Sequence, residues 1–152
     1  AVTIVGRLVQ RVGTPIETPE ALGISRLFPT PQALADADLT GIGMPGKRVQ
    51  CLQHFAASIA DGSLQLSLRD GSAALIEQLC SLPGIGPWTA EYIALRAFGE
   101  ADAFPASDLG LLKAPVWGVG GIDARRLKIR AEAWRPWRAY AAAHLWHCYS
   151  GG

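Results

Sequence analysis

The chain has 152 residues, a length that suits a single domain with one core. Apolar residues make up 49% of it and charged residues 18%, which excludes a disordered tail and predicts a folded globular domain. The net charge of +1 lacks the basic excess usual in nucleic-acid binders, so any such binding must come from local geometry. No membrane-length apolar run and no signal-peptide pattern is present, which favours an intracellular, soluble protein.

Helical periodicity dominates the chain and no sustained alternation supports a sheet, so the predicted fold class is all-α. The opening stripe of Val2, Val5, Leu8, Val9 and Val12 has no capping residue, which predicts that the sequence starts inside a helix. The other predicted helices are 32–37, Pro45 to about Ala60, one capped by Asp70 or Ser72 that ends at Pro83, 87–98, 108–113, 122–134 and 136–148. We predict one helical domain over 1–152.

Few polar residues interrupt the helix over 87–98, Glu91 and Arg96 being the main ones, which predicts a buried central helix. The cysteines Cys51, Cys80 and Cys148 are odd in number and scattered. They fit neither a disulfide framework nor a metal site, and we expect them to be small buried apolar residues.

The string LPGIGPWTA, over 82–90, joins two predicted helices by a glycine-bearing turn. Gly84 and Gly86 allow positive φ and a close approach to a ligand, while the first turn of the helix at Pro87 leaves N–H groups unpaired. Such a helix N-terminus binds phosphate without side-chain charge. The alternative is that the two glycines only end one helix and start the next.

The same string resembles the helix-hairpin-helix signature, here within about 73–98. In order along the chain, FPTPQALADAD, GIGMPGKR, LPGIGPWTAEYIALRAFG, FPASDLGLLK and AEAWRPWRAYAAAHLW resemble bacterial 3-methyladenine DNA glycosylase II, a branch of the helix-hairpin-helix (HhH-GPD) DNA glycosylase superfamily. The resemblance implies an all-α, endonuclease III-like helical domain. It also implies a monofunctional hydrolase of base excision repair that removes alkylated, 3-methyladenine-type bases from duplex DNA.

The resemblance makes Asp108 the catalytic residue. Breaking an N-glycosidic bond builds positive charge on the sugar, which a fixed carboxylate stabilises, and the same group can activate the attacking water. The alternative, an N-cap for the helix at 108–113, is compatible with that role.

Trp88, Tyr92 and Trp146 are the residues that the resemblance places in a base pocket, where electron-rich rings stack on a flipped cationic base. Trp88 and Tyr92 lie four residues apart and share a helix face, which is also ordinary core packing. Bifunctional relatives carry a lysine at position 88, whose amine permits strand cleavage. Trp88 therefore predicts base release without a lyase step.

The resemblance assigns DNA-backbone binding to Gly84, Ile85, Gly86 and Thr89. It also suggests a monovalent cation, Na⁺ or K⁺, on the backbone carbonyls of Cys80, Leu82 and Ile85. No cofactor is required, and three dispersed cysteines predict no iron–sulfur cluster.

Related enzymes also carry a β-rich N-terminal domain and a wedge residue that we expect to lie outside these residues. The expected partner is damaged duplex DNA, bound by a monomer in the bacterial cytoplasm at the nucleoid. Three alternatives stay open: a non-catalytic helix-hairpin-helix module, a helical protein-interaction domain, and a glycosylase for oxidised or deaminated bases.

Overall fold

The computed structural model describes residues 2–17, 23 and 25–151, with the side chain of Val2 outside the description. Over these residues the chain is helical and forms no strand, only an isolated bridge between Pro15 and Arg26, which confirms the all-α prediction. No helix in this part of the chain has the length and hydropathy needed to cross a membrane. The helices are α1 Val2–Val12, α2 Pro31–Asp36, α3 Gly46–Ala60, α4 Ser72–Cys80, α5 Pro87–Ala97, α6 Leu109–Leu112, α7 Ala124–Ala131 and α8 Arg138–Tyr149.

One compact unit comprises Ala1–Gln65 with Leu82–Gly84 and contains α1, α2 and α3. Of the stripe predicted for α1, Leu8 points inward and is 5% exposed, whereas Val5 is 46% exposed. Gln53 of α3 donates to the backbone carbonyls of Ala35 and Ala37 at the end of α2. The buried members of this core are Leu8, Leu34, Leu39, Ile42 and Ala56.

The second compact unit comprises Leu66–Ser81 with Ile85–Gly152 and contains α4 to α8. Leu111 of α6 and Leu127 of α7 are fully buried, and each contributes about 1.5–3 kcal/mol through its burial. The buried members of this core are Phe104, Leu111, Ala114, Leu127, Ala131, Ala142 and Leu145. It fixes α6 against α8. A single domain over 1–152 stays a prediction.

The prediction of a helix α5 buried on all sides is wrong. Only Ala90 and Ala94 are fully buried along it, whereas Trp88 is 41% exposed and Arg96 is exposed. The two small alanines let the helix approach its neighbours on one face, and the large aromatic side chains occupy another. Exposed aromatic side chains on one face of a helix indicate a binding surface.

Two predicted helix starts are also wrong. Neither Asp70 nor Ser72 caps α4: its N-cap is Gly71, at φ +87°, a backbone conformation that favours glycine. Helix α8 begins at Arg138 after a cis Arg135–Pro136 bond, so Pro136 precedes the helix. The three cysteines are free but half-buried, so full burial was wrong for them too.

Candidate active site

Asp108 is the N-cap of α6. Its Oδ1 accepts hydrogen bonds from the backbone N–H groups of Gly110 at 2.9 Å and Leu111 at 3.2 Å. These bonds satisfy two of the donors that a helix start leaves free, so the capping role considered from the sequence is confirmed. The cap also fixes the side-chain torsions, which holds the carboxylate in one orientation.

Two indole groups complete the surroundings of this carboxylate. Trp146 of α8 donates its Nε1–H to Oδ1 at 2.7 Å, and Trp88 of α5 donates its Nε1–H to Oδ2 at 2.9 Å. Hydrogen bonds to a charged acceptor are stronger than neutral ones. Elements from three parts of the sequence therefore aim at one side chain, which a simple helix cap does not require.

The three aromatic residues form one cluster. The Trp88 and Tyr92 rings stack with centroids 5.4 Å apart and planes at 18°, as their four-residue spacing predicts. Trp146 meets Tyr92 edge to face, with centroids 5.9 Å apart and planes at 69°. The structure thus brings Trp88, Tyr92, Trp146 and Asp108 together. Whether a base binds there stays a prediction.

Gly110 lets Trp146 and Asp108 pack closely against the start of α6. A Cβ at this buried position would lie 3.0 Å from Cδ1 of Trp146 and 3.1 Å from Oδ1 of Asp108. Both distances are tighter than ordinary carbon contacts, so a side chain would push the indole and the carboxylate apart. The sequence did not single out this glycine, since the ring that it contacts belongs to Trp146 on α8.

The start of α8 is anchored by an ion-pair cluster. The Arg138 guanidinium, 12% exposed, donates to Oδ1 of Asp102 at 2.7 Å and to the backbone carbonyl of Asp102 at the same distance. Arg135 also pairs with Asp102. Since Asp102 lies in the loop that leads to Asp108, the cluster ties that loop to the helix that carries Trp146.

A cavity of about 360 Å³ lies between α5, α7 and the loop over 104–107, and Asp108 is not among its lining residues. Trp88, Glu91, Ser107, Arg125 and Lys128 are among its lining residues. Ser107 precedes Asp108 in the chain and Trp88 is its hydrogen-bond donor. The cavity therefore borders the loop before Asp108 and part of Trp88, whereas Tyr92 and Trp146 do not line it.

Glu91 on α5 is a site residue that the sequence analysis did not assign. Its Oε2 accepts the backbone N–H of Phe104 at 2.9 Å, which joins α5 to the loop before Asp108. Burial raises the pKa of the Glu91 carboxyl above its ordinary value, and the Phe104 bond and the charges of Arg138 and Lys128 offset this only in part. The sequence around Glu91 gives no sign that its carboxylate bonds to the backbone of Phe104, 13 positions later.

Glu91→Gln keeps an oxygen that can accept from Phe104 and removes the buried charge. A carboxyl group whose pKa is higher in the folded than in the unfolded state favours the folded state while it is protonated. This contribution is full at a pH below the unfolded-state pKa and is lost as the pH rises through the folded-state pKa. The free energy of unfolding of wild type, measured relative to the Gln variant by urea titration, should therefore fall as the pH rises above about 4.5. A difference that is constant between pH 4 and pH 7 would contradict this account.

The hairpin turn lies between α4 and α5. Gly84 has φ +89°, and a Cβ there would lie 2.9 Å from Sγ of Cys51, so glycine is required twice over. Gly86 does not adopt the positive φ that glycine allows. It is the extended N-cap of α5, at φ −96° and ψ 172°, with no side-chain cap bond and open space around its Cβ position.

The start of α5 therefore has free amide groups beside an exposed glycine. Pro87 at the first helical position has no N–H to lose. The N–H groups of Trp88 and Thr89 precede the first helical hydrogen bond, which runs from the Ala90 N–H to the Gly86 carbonyl at 3.0 Å. Phosphate binding by Gly84, Ile85, Gly86 and Thr89 stays a prediction. So does the monovalent cation on the carbonyls of Cys80, Leu82 and Ile85.

No family model matches the chain. It is 42% identical over 147 residues to the probable bifunctional transcriptional activator/DNA repair enzyme AlkA of Mycobacterium tuberculosis, covering 96% of this chain and 29% of that protein. It is 41% identical over 123 residues to DNA-3-methyladenine glycosylase 2 of Escherichia coli, covering 79% and 42%. The structure of DNA-3-methyladenine glycosidase from Bacillus halodurans matches it with a TM-score of 0.73 and 26% identity, covering 99% and 67%.

In this chain a glycine hairpin between two helices is followed by an aspartate that two tryptophans hold. The chain is a homologue of bacterial 3-methyladenine DNA glycosylase II, which confirms the resemblance drawn from five segments of its sequence. It spans 29% and 42% of the lengths of the two curated relatives above.

Proposed function

We propose that this chain is the helical part of a monofunctional DNA glycosylase, which hydrolyses the N-glycosidic bond of 3-methyladenine-type alkylated bases in duplex DNA. The observation that carries the proposal is the attachment of Asp108 to an aromatic cluster through Trp88 and Trp146. The names of the two curated relatives, a DNA repair enzyme and a DNA-3-methyladenine glycosylase, support it.

The two carboxylate oxygens of Asp108 are not equivalent. Oδ1 accepts from Gly110, Leu111 and Trp146, whereas among the described residues Oδ2 accepts only from Trp88. A carboxylate oxygen has about two lone pairs, so Oδ1 is saturated and Oδ2 has one lone pair free. We assign Oδ2 to the reaction, in which it faces the sugar or the attacking water.

In the proposed reaction, the C1′–N bond breaks and its electron pair goes to the base. An alkylated purine that carries a positive charge leaves as a neutral base, so it needs no general acid. The positive charge that develops on the sugar is stabilised by the Asp108 carboxylate. Water then bonds to C1′, its proton passes to Oδ2, and the product is an abasic site.

Binding of the substrate follows from two features. The rings of Trp88, Tyr92 and Trp146 offer electron-rich surfaces to a flipped cationic base. The uncapped start of α5 at Gly86 offers amide groups to a phosphate of the duplex. We propose that the protein binds damaged DNA as a monomer at the bacterial nucleoid.

The product of the reaction tests this proposal. The chain, extended to the length of its relatives, is incubated with methylated duplex DNA, and free bases are quantified by chromatography. We expect release of alkylated bases, with strand breaks appearing only after treatment with alkali, because Trp88 has no amine that could form a Schiff base. No release above that from untreated DNA would sink the proposal.

Borohydride reduction provides a second measurement on the same reactions. It traps a covalent adduct if an amine attacks the sugar, and we expect none. Lys128 lines the cavity beside Trp88 and is the amine to check. A trapped adduct that disappears in Lys128→Ala would make the enzyme bifunctional and contradict the monofunctional assignment.

A further inference from the structure

Arg96 extends the aromatic row on α5 by one more turn. Trp88, Tyr92 and Arg96 follow each other at four-residue intervals, so they share one face of the helix. The guanidinium carbon of Arg96 lies 5.7 Å from the Tyr92 ring centroid and 5.8 Å from that of Trp146. Both distances fall within the range of cation–π attraction.

Two opposite charges therefore contact one aromatic cluster, each of them through two of its three rings. Asp108 binds the indole N–H groups of Trp88 and Trp146, and Arg96 lies over Tyr92 and Trp146. The two charges do not form an ion pair with each other, and Arg96 has no ion-pair partner among the residues that the structure describes. Its charge is thus available to act on a ligand at the cluster.

Trp88 lies one turn before Tyr92 and Arg96 one turn after it, so the two approach the Tyr92 ring from opposite ends of the row. A base that stacks on the Tyr92 or Trp146 ring comes close to the guanidinium or displaces it over a short distance. In either position a positive charge remains beside the base, since the Arg96 side chain is tethered to the same helix.

A positive charge beside the base affects the bond-breaking step. When the glycosidic bond breaks, electrons flow to the base and positive charge develops on the sugar. A fixed anion beside the sugar favours that flow because it is aimed at charge that appears only in the transition state. A fixed cation beside the base also favours it, because the cation repels the positive charge that the base loses when the bond breaks.

We infer that Arg96 is a further catalytic residue, which rests on the proposed function: its positive charge lies beside the stacked base and promotes departure of the base with the bond electrons. It acts as the counterpart of Asp108 across the aromatic cluster. The same charge repels a base that arrives already cationic, so it lowers the ground-state affinity while raising the rate of the bond-breaking step.

Kinetics of base release separate this role from a structural one. Arg96→Met keeps the aliphatic packing and removes the charge. We expect kcat to fall about tenfold without a rise in KM for a cationic alkylpurine, and Arg96→Lys to recover most of the loss. Arg130→Met is the matched control, since Arg130 lies 5.2 Å from the Trp117 ring centroid, outside the site, and its loss should leave kcat unchanged.

Two results would overturn the inference. A faster release by Arg96→Met would mean that the arginine only blocks the pocket, and equal losses in the Met and Lys variants would mean that its charge is irrelevant.

A binding experiment keeps this inference distinct from the proposed function. Tryptophan fluorescence is titrated with 1-methylnicotinamide, a planar cation, and with nicotinamide, its neutral analogue. Arg96→Met should improve binding of the cation about fivefold relative to the neutral probe, and Arg130→Met should not. If wild type releases no base but this shift is present, the proposed function fails while the placement of Arg96 charge at the ring surface holds. An unchanged ratio of the two affinities refutes that placement.

Discussion

Asp108→Asn should lower the rate of alkylated-base release at least about a hundredfold, the scale of removing one preorganised electrostatic group. The substitution keeps the helix cap, because an asparagine oxygen can still accept from Gly110 and Leu111, and Asn is as good an N-cap as Asp. What disappears is the negative charge beside the sugar. The measurement is single-turnover release of free base from methylated duplex DNA.

The surroundings of Asp108 add a structural consequence to this substitution. With its oxygen retained by Trp146 and the cap, the new amide NH₂ takes the place of Oδ2 and faces the indole N–H of Trp88. Two donors then oppose each other, which costs about 1–3 kcal/mol of stability. Adding Trp88→Phe removes the conflict, so the double variant should regain stability and stay inactive.

Asp123→Asn is the matched control for this experiment. Asp123 caps α7 by accepting the N–H of Arg126 at 2.9 Å, so the same change is made at the same kind of position. We expect full activity from this variant. Equal rates of base release in wild type and Asp108→Asn would remove the carboxylate from the mechanism and with it the enzymatic interpretation.

The sequence could predict those features that its local pattern encodes. The four-residue spacing of Trp88 and Tyr92 predicted a shared face, the glycine turn predicted two helices in sequence, and Ser107-Asp108 before an apolar run predicted a cap. Each of these depends on residues within one or two turns. The structure confirms all three.

What the sequence could not predict depends on packing between distant elements. Nothing near Trp146 indicates that its indole N–H meets Asp108, 38 positions earlier in the chain. The solvent exposure of α5 was not predicted for a related reason: the number of apolar residues in a helix does not tell which of them pack against another element. The sequence allowed a positive φ at both Gly84 and Gly86 and could not tell that only Gly84 adopts it, because glycine also occurs where a ligand must approach an extended backbone.

Gly86→Val should weaken binding to duplex DNA at least about tenfold without unfolding the protein. At φ −96° and ψ 172° the backbone suits any residue, and a Cβ at Gly86 would meet no atom within 4 Å. The protein therefore tolerates the side chain, whereas a phosphate at the start of α5 does not. Losing one hydrogen bond from an amide to a charged oxygen costs about 1.5–3 kcal/mol, which is tenfold or more in affinity.

Two other glycines make the experiment selective. Gly84→Val combines the strained φ of +89° with a contact 2.9 Å from Cys51, so it should lower the melting temperature and lose DNA binding by unfolding. Gly120→Val introduces an equally exposed valine where no atom lies within 4 Å, and should affect neither property. Fluorescence anisotropy at one fixed salt concentration gives the affinities, since phosphate contacts depend on salt. If Gly86→Val binds duplex DNA as tightly as Gly120→Val, the amide groups at the start of α5 do not contact the phosphate, and DNA binding must depend on another surface of the protein.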